Sequence, residues 1–447
     1  MSKNRNNPHF QPLPELDLFA APKVQTSIDH DIIAEFRPVA PLDSKAFIEF
    51  NINPAEEEYL RLYKTEFYLK VKFTIEKPMK VDVKAEDWTG VSTCNNLLNS
   101  MFKHIEFWIG DRLIDPPHHT YPYKTYFEKL LGKSSDVKKT SAMLGYWFEE
   151  GVSVEDSAID VITNLIKPTQ APFDQSKEIE LLGKIHLPMF EQRRLALLGG
   201  CKLKIKLLPN DPSFYFKCPN AIHLKSVDFT DCSIRVRGFR AYDYIKDGHN
   251  LTLNAGFNAK YFLLENFVIP TTINKGIQDV ILDNLHNGQI PNRAFIAFVD
   301  HRAFNGSFTL NPFNFKHFNV NQLTLYVNGT PMMGCYPKNP NFSRNWCSRE
   351  YYDLFEVTNQ DNTETCITLD RDDFTTGNNI FSFRCLPDLT SGGAQSVGFS
   401  NPLKYGSLRL HLRFDKPLED PITTLVYLDF DTVLEINKER NVDYTFI

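Results

Sequence analysis

The chain has 447 residues, of which 42% are hydrophobic and 23% are charged, a composition typical of globular proteins and not of disordered chains. This length predicts two domains of about 200 residues each, because one hydrophobic core rarely grows beyond about 250–300 residues. A net charge of −6 excludes a protein that works mainly by coating nucleic acid, since binding to phosphates requires a dense basic surface.

Two features predict a protein that is made inside a cell and is not secreted. Residues 1–16 contain no apolar core, so we expect no signal peptide. The cysteines show no CxxC spacing, and a chain of this size does not depend on disulfides, so we expect reduced, buried thiols. The eight are Cys94, Cys201, Cys218, Cys232, Cys335, Cys347, Cys366 and Cys385.

Residues 1–44 are predicted to form an N-terminal arm rather than a domain. Prolines oppose both helix formation and strand pairing, and four of them lie within the first 22 residues. They are Pro8, Pro12, Pro14 and Pro22. Such an arm either lies over its own domain or reaches a neighbouring subunit, and for residues 1–15 the alternative is a frayed terminus.

The first strands follow the arm. Residues 47–52 alternate between apolar and polar side chains, and residues 65–75 continue the same alternation over a longer run. Lys70 and Lys72 share the polar face of the longer run, which is the pattern of a half-buried sandwich strand. Its apolar face carries Phe67, Leu69, Val71, Phe73 and Ile75.

Two short helices are predicted next. Residues 93–102 place apolar side chains at helical spacing after a threonine. A clearer apolar stripe lies in residues 123–131, and Gly132 is placed to end that helix. Such a stripe more often packs in a core than binds a cofactor. Its members are Tyr123, Tyr126, Phe127, Leu130 and Leu131.

The first half ends in further strands, predicted at residues 185–188, 201–207 and 234–237. The second of these runs carries three lysines on one face. They are Lys202, Lys204 and Lys206. A stripe of this kind either binds nucleic acid or an acidic partner, or is a solvated outer face. The negative net charge favours the solvated face.

Two turns are predicted to close β-hairpins. Residues 303–334 read as two strand-like runs, and the second run, residues 323–327, ends at Asn328-Gly329. Both turn residues tolerate the positive φ of a type I′ turn, so this is the strongest hairpin signal in the chain. In the first half, residues 105–109 are followed by Gly110-Asp111 in a similar way.

The two halves repeat one order of landmarks, about 200 residues apart, with turn chemistry at residues 241–256 between them. Besides the two turns, Leu386-Pro387 corresponds to Leu187-Pro188, residues 405–414 to 199–207, and residues 424–430 to 234–239. This order predicts an all-β fold, with a few short helices in connections, of two antiparallel sandwiches at residues 45–245 and 246–447. The eight-stranded jelly roll is the natural candidate, although periodicity does not separate it from other sandwiches.

Motifs that carry chemistry are absent from the sequence. There is no glycine-rich phosphate loop, HExxH, GxSxG or paired CxxC, so we expect no catalytic, cofactor-binding or metal-binding residues. His118-His119 is the one histidine pair, and adjacent residues on a strand point to opposite faces and do not share one ion. Acidic residues are plentiful, but no pair identifies itself as an acid/base couple.

Six blocks of the sequence occur together and in order: residues 16–28, 95–102 leading into the Gly110-Asp111 turn, 121–131, 303–307, 311–319 and 434–442. Together they resemble the major capsid proteins of Polinton (Maverick) elements and adintoviruses, from about residue 16 to the end of the chain. The resemblance implies two tandem antiparallel eight-stranded jelly rolls, that is, a double jelly roll. It also implies a viral structural subunit and not an enzyme.

The resemblance further implies that three copies form a pseudo-hexameric homotrimeric capsomer, which builds an icosahedral capsid around double-stranded DNA in the virion. Implied partners are neighbouring capsomers, a single jelly-roll penton protein and minor capsid proteins. Contact with genomic DNA would be weak and non-specific at most, and no small-molecule substrate or cofactor is implied. An arm on the inner side of the shell would place Lys3 and Arg5 near the genome.

The length and polarity of residues 133–180 and 340–380 predict that these connections build outer towers and trimer contacts, with Trp147 and Trp346 as apolar anchors. Two other functions remain open from the residues alone. Aromatic-rich sandwiches also bind carbohydrates, although the expected absence of a signal peptide opposes that interpretation. A β-sandwich hydrolase requires a carboxylate pair, which only a structure reveals.

Overall fold

The computed structural model describes residues 24–43, 46–76, 91–115, 118–148, 176–218, 223–332, 336–361, 367–387, 402 and 404–446. The strands in these residues are β1 (Ile28–Phe36), β2 (Ile48–Ile52), β3 (Glu58–Leu60), β4 (Glu66–Glu76), β5 (Ser92–Thr93), β6 (Phe102–Ile109), β7 (Arg112–Asp115), β8 (Ser176–Gly183), β9 (Leu203–Pro209), β10 (Phe216–Lys217), β11 (His223–Ala241), β12 (Ala259–Ile273), β13 (Asp279–Gln289), β14 (Arg293–Asp300), β15 (Val320–Val327), β16 (Thr330–Pro331), β17 (Ile380–Arg384), β18 (Tyr405–Phe414), β19 (Ile422–Ile436) and β20 (Val442–Phe446).

Short helices lie in the connections between strands. The α-helices of the described residues are α1 (Leu97–Ser100), α2 (Tyr121–Gly132), α3 (Ser135–Lys139), α4 (Pro188–Glu191), α5 (Pro212–Tyr215), α6 (Asp243–Asn254), α7 (His301–Asn305), α8 (Ser348–Val357) and α9 (Arg371–Thr376). Three 3₁₀ helices accompany them, at Leu62–Lys64, Ser141–Gly145 and Phe342–Arg344.

The strands form two sandwiches with the same topology. In the first, the sheets are β1-β11-β4-β8 and β2-β9-β6-β7; in the second, they are β12-β19-β14-β17 and β13-β18-β15-β16. If only the eight strands named for each half are counted in chain order, without β3, β5, β10 and β20, both halves give sheets of order 1-8-3-6 and 2-7-4-5. This is the order of an antiparallel jelly roll. The predicted fold of two tandem eight-stranded jelly rolls is confirmed.

The predicted landmarks occupy equivalent positions in the two halves. Gly110-Asp111 joins β6 to β7, and Asn328-Gly329 joins β15 to β16, so both turns connect the fourth strand of a sandwich to its fifth. Asn328 and Gly329 have φ values of 51° and 77°, as a type I′ turn requires. The other repeated landmarks also match, because β9 and β18 are the seventh strands and β11 and β19 the eighth.

Two strand predictions in the first half have different outcomes. The strand predicted over residues 65–75 is β4, which pairs antiparallel with β11. Its side chains alternate between buried and half-buried positions. The strand predicted at residues 185–188 is wrong, because β8 ends at Gly183 and α4 begins at Pro188. Residues 185–187 are buried, and Leu187 has an extended backbone, but they pair with no neighbouring strand among the described residues. The prediction failed because an alternating apolar pattern indicates that side chains are buried, and does not by itself indicate that the backbone pairs with another strand.

The structure also differs from three other predictions. The helix predicted over residues 93–102 is restricted to α1, since Thr93 pairs with Phe216 in a short ribbon and Phe102 begins β6. The predicted junction, residues 241–256, contains helix α6 rather than turns alone. The first strand-like run after residue 303 is not a strand, because Asp300 caps α7 and Gly306, with a φ of 100°, ends it.

Part of the predicted arm belongs to the first sandwich. Residues 28–36 form β1, which pairs along its length with β11, while residues 1–23 lie outside the described residues. Hydrogen bonds to the long neighbour β11 hold this strand at the sheet edge. Its own side chains are half-buried or exposed, which explains why its sequence carries only a weak strand signal.

Gly199 occupies a position where a side chain does not fit. A Cβ on Gly199 would collide with the carbonyl oxygen of Glu56, and the Gly199 carbonyl accepts a hydrogen bond of 2.8 Å from Nε of Arg440. We expect Gly199→Ala to lower the free energy of unfolding by about 1–3 kcal/mol. The control is Gly248→Ala in α6, where nothing lies within 4 Å of the new Cβ.

The control substitution raises stability by about 0.5–1 kcal/mol, because alanine is the better helix former. Denaturant unfolding of both variants checks the pair. Equal effects of the two substitutions would contradict the steric argument at Gly199.

Candidate functional site

The two sandwiches meet at a joint, formed by helix α2, the outer face of the β12-β19-β14-β17 sheet and residues 311–315. Tyr126 of α2 stacks on Phe313 with ring centroids 4.2 Å apart and planes at 4°. Phe127 stacks on Phe315 at 5.4 Å. The predicted apolar stripe of α2 is buried throughout, which confirms core packing, and the core in question is the contact between the two halves.

Strand β14 explains how one sheet serves two cores. Ala294, Ile296 and Phe298 pack inside the second sandwich, whereas Phe295, Ala297 and Val299 belong to the cluster that continues into the first sandwich. A strand buried on both faces is continuously apolar rather than alternating. The run of six apolar residues at 294–299 therefore indicates a strand buried on both faces, and the structure shows that the second face is covered by the joint.

Two ion pairs with buried carboxylates also lie at the joint. Nζ of Lys124 lies 3.7 Å from Oδ2 of Asp115, and Nη2 of Arg293 lies 2.6 Å from Oδ2 of Asp429. Burial raises the pKa of Asp115 and of Asp429, while the neighbouring cations act in the opposite direction. These pairs fix the polar atoms of the joint, because an uncompensated buried charge is costly.

A histidine between two carboxylates lies beside these pairs. Nδ1 of His186 is 2.8 Å from Oε2 of Glu128 and 3.3 Å from Oε1 of Glu191. Burial acts to raise the pKa of Glu191, but the hydrogen bond and charge of His186, together with Lys133 and Lys184, lower that pKa well below its ordinary value. This cluster was not predicted from the sequence, since its members share no motif.

A buried lysine follows Glu128 on α2. Nζ of Lys129 donates a hydrogen bond of 2.6 Å to Oδ1 of Asn96 and lies 5.9 Å from the ring centroid of Trp147. Burial lowers the pKa of Lys129 to about 7. The ammonium group is held by one amide oxygen and the face of one aromatic ring.

The histidine pair of the sequence sits in the segment leading into α2. The His118 ring stacks on Phe267 of β12 at 5.2 Å, whereas Nδ1 of His119 lies 3.0 Å from Nδ1 of His104. The two adjacent rings therefore contact different partners. Thr120, the next residue, donates a hydrogen bond of 3.1 Å to the carbonyl of Val268, so this segment ties the first sandwich to the second.

We expect the protein to lose stability as the pH falls below about 6.5. Burial lowers the pKa of four histidines below the value of an unfolded chain, so the unfolded state binds protons first and acid favours it. The four are His104, His118, His286 and His317. Charges from Lys103, Glu106 and His119 act on the first, and from Asp115, Lys124 and His119 on the second.

Thermal unfolding at about pH 8 and about pH 6 measures this effect. His286→Gln, which keeps a polar side chain near the carbonyl of Gln289, should reduce the difference between the two midpoints. An unfolding midpoint that is unchanged or higher at the acidic pH would contradict the assignment.

The predicted lysine stripe pairs with its own sheet. Nζ of Lys204 lies 4.5 Å from the ring centroid of Trp108, and Nζ of Lys206 lies 3.7 Å from Oε2 of Glu49. Lys202 is exposed. Two of the three ammonium groups therefore interact with aromatic or acidic side chains of the same sheet, as expected for a solvated outer face.

The two tryptophans predicted to be anchors differ in exposure. Trp147 is 2% exposed and its ring lies 5.1 Å from Tyr126, so the prediction that Trp147 anchors a subunit contact is wrong. Its position beside α2 makes it part of the joint. Trp346 is 64% exposed and remains a candidate. Of the predicted tower segments 133–180 and 340–380, residues 149–175 and 362–366 lie outside the described residues.

Six cysteines fall within the described residues; no disulfide joins any two of them, and five of the six are buried. Burial raises the pKa of Cys201 to about 11, which keeps this thiol protonated and unreactive. Cys335 and Cys366 lie outside the described residues. In the part of the chain that the structure describes, no helix is long and apolar enough to cross a membrane.

Comparison with known proteins identifies similar chains. No family model matches this sequence. An uncharacterised protein of Caenorhabditis elegans is 25% identical over 406 residues, which cover 88% of this chain and 92% of that protein. A chain in the cryo-EM structure of the Sputnik virophage superposes with a TM-score of 0.61 and 12% identity, over 98% of this chain and 93% of that chain.

Two further solved structures extend this likeness. The mavirus major capsid protein superposes with a TM-score of 0.55 and 10% identity, over 98% of this chain and 93% of that chain. The Faustovirus major capsid protein superposes with a TM-score of 0.51 and 8% identity, over 94% of this chain and 93% of that chain. The chain therefore has the same double jelly-roll fold as these solved chains, which is the fold that the sequence blocks predict.

Proposed function

We propose that this protein is a viral major capsid protein of the Polinton or adintovirus type, a structural subunit of the virion and not an enzyme. The observation that carries the proposal is the doubled topology: two sandwiches with one strand order, joined in one chain, match the mavirus major capsid protein over 98% of this chain. The resemblance of the sequence blocks supports the same conclusion independently of the fold.

The doubled chain also suggests how the subunit assembles. Three copies around one axis would present six similar sandwiches, which gives a pseudo-hexagonal outline suited to tiling an icosahedral shell around double-stranded DNA. The joint supports this role, since burial of α2 and β14 on two sides makes the two sandwiches one unit. Neighbouring capsomers, a single jelly-roll penton protein and minor capsid proteins would be the partners, with genomic DNA contacted weakly at most.

Measurement of the mass of the purified protein tests the capsomer. Light scattering should give a particle of about three times the 51.6 kDa chain mass, and negative-stain images of the same peak should show hexagonal outlines. A stable monomer at high concentration, with no partner needed for solubility, would count against the proposal. In that case a glycan-binding screen tests the carbohydrate-binding alternative.

Trp346 is the best candidate for a contact between subunits. It is exposed at the base of a tight loop, residues 341–346, where its backbone exchanges hydrogen bonds of 2.8 and 2.9 Å with Asn341. Nη2 of Arg371 holds the preceding residue, Asn345, through its carbonyl at 2.6 Å. A rigidly presented tryptophan is typical of residues that dominate binding at protein interfaces.

Trp346→Ser tests this contact without disturbing the core. We expect the variant to weaken trimer formation by at least about tenfold while the chain remains folded. Tyr405→Ser is the matched control, because Tyr405 is 63% exposed and lies on β18, outside the loop that carries Trp346. Trimers of normal stability in the Trp346 variant would assign the contact to another surface.

The predicted role of the arm is tested by deleting residues 1–15. If the arm lies on the inner side of the shell, the truncated protein should form trimers of normal mass and fewer closed shells. An unchanged yield of particles would remove the arm from the assembly mechanism.

A further inference from the structure

We propose that Glu128, His186 and Glu191 form a binding site for a divalent transition-metal ion of the zinc class, at the joint between the two sandwiches. One ligand atom of each side chain lies within 4.8 Å of the other two. Nδ1 of His186 is 2.8 Å from one carboxylate and 3.3 Å from the other. Ligand atoms of a tetrahedral ion with bonds of about 2.0–2.2 Å lie about 3.3–3.6 Å apart. The 3.3 Å separation already fits, and the 2.8 Å hydrogen bond lengthens when the ion replaces its proton.

Three separate segments hold the ligands in place. Glu128 lies on α2, His186 lies between β8 and α4, and Glu191 is the last residue of α4. The backbone N–H of His186 donates a hydrogen bond of 3.1 Å to the hydroxyl of Tyr121, which in turn donates one to Asn99. A rigid, buried backbone presents the imidazole before any ion arrives, which reduces the cost of binding.

The burial of the ligands gives the site one open side. The side chains of His186 and Glu128 are 4% and 12% exposed, whereas that of Glu191 is 34% exposed. An ion therefore enters past Glu191, and a water molecule on that side completes a four-coordinate shell.

The donor set selects the kind of ion. One imidazole nitrogen and two carboxylates suit Zn²⁺, Mn²⁺ and Fe²⁺. Ca²⁺ and Mg²⁺ require more oxygen ligands than the cluster provides.

Nearby lysines compete with the ion. Nζ of Lys133 lies 3.7 Å from Oε2 of Glu191, and Lys184 and Lys129 add positive charge around the cluster. A bound ion displaces Lys133, whose side chain is 26% exposed and is free to turn into solvent. The ion then links α2 to the segment between β8 and α4, and stabilises the joint.

The test uses the full-length protein, treated with a chelator and kept reduced, titrated with ZnCl₂ and separately with MnCl₂. Calorimetry should show one ion per chain, and the midpoint of thermal unfolding should rise with either metal. Mn²⁺ has little affinity for thiols, so its binding separates this site from the cysteines.

Four variants make the assignment specific. His186→Gln and Glu191→Gln should each weaken binding by about tenfold or more, and Glu191 is exposed enough that its variant folds even if the His186 variant does not. Lys133→Met should tighten binding several-fold, because it removes the competing cation. His411→Gln is the matched control, since Nε2 of His411 lies 2.8 Å from a single carboxylate oxygen, of Asp279.

The outcomes separate this site from ordinary ion pairing. Binding of both metals that is lost in Glu191→Gln and kept in His411→Gln supports the proposal. If neither Zn²⁺ nor Mn²⁺ binds, the proposal is overturned. Zn²⁺ binding that survives both ligand substitutions also overturns it, and would assign the zinc to thiols. Weaker binding in Lys133→Met would show that the lysine supports the cluster instead of competing for it.

Discussion

Replacing Phe313 with alanine is expected to lower the free energy of unfolding by about 3–5 kcal/mol, the range observed when a buried aromatic residue is removed. The Phe313 side chain is fully buried and stacks on Tyr126 at 4.2 Å. The edges of Tyr123 and Phe214 enclose it further, at 5.6 and 6.0 Å. The substitution leaves a cavity between the two sandwiches, walled by rigid aromatic rings that collapse poorly into the space.

Two control variants separate the cavity from other effects. Phe313→Leu keeps most of the volume and should cost less than about 1.5 kcal/mol. Phe308→Ala removes a side chain that is 41% exposed in the same segment and should change stability by no more than about 0.5 kcal/mol. Denaturant unfolding followed by circular dichroism measures all three. If Phe313→Ala cost no more than Phe308→Ala, the joint would not depend on this aromatic stack.

Replacing Arg293 with methionine is expected to cost about 3–5 kcal/mol at neutral pH, because it leaves the carboxylate of Asp429 buried without its partner. The Asp429 side chain is 2% exposed, and Oδ2 accepts hydrogen bonds from Nη2 of Arg293 at 2.6 Å and from Nε at 2.9 Å. The double variant Arg293→Met with Asp429→Leu should recover most of the loss, since it buries no charge.

The stability lost in Arg293→Met should also depend on pH, and it should be largest at high pH. Burial already raises the pKa of Asp429 above that of an unfolded chain, and Arg293 opposes that rise. Without Arg293, the folded pKa rises further, so the variant is most destabilised above that pKa and recovers as acid protonates the carboxyl. Unfolding midpoints of both proteins at several pH values measure the difference. A cost that stays constant down to about pH 4 would show that lost packing, and not charge, is responsible.

Local chemistry made the turns and the stripe of α2 predictable. Asn328-Gly329 requires positive φ whatever surrounds it, and its position after an alternating run defines a hairpin. The spacing of Tyr126 and Phe127 on α2 predicts that one helix face is buried. Which surface covers that face was not predictable, because Phe313 and Phe315 lie far away in the sequence.

The wrong or missing predictions have the same cause, because each concerns contacts between residues far apart in the sequence. Residues 185–187 alternate like a strand, yet the chain there passes through the joint without a ladder partner. Trp147 and Trp346 are chemically identical, but one packs beside Tyr126 and the other stands on an exposed loop. The cluster around His186 combines residues from α2 and α4, and no sequence spacing announces it.

The sequence by itself determined which side chains alternate along the strands, where the chain turns, and that one order of elements occurs twice, because these depend on neighbours within a few residues. Only the tertiary structure decided that the two jelly rolls share a joint. It also decided that α2 and β14 form this joint and that Glu128, His186 and Glu191 meet beside it. Burial and ion pairing depend on contacts between residues far apart in the chain, and residue spacing does not encode those distances.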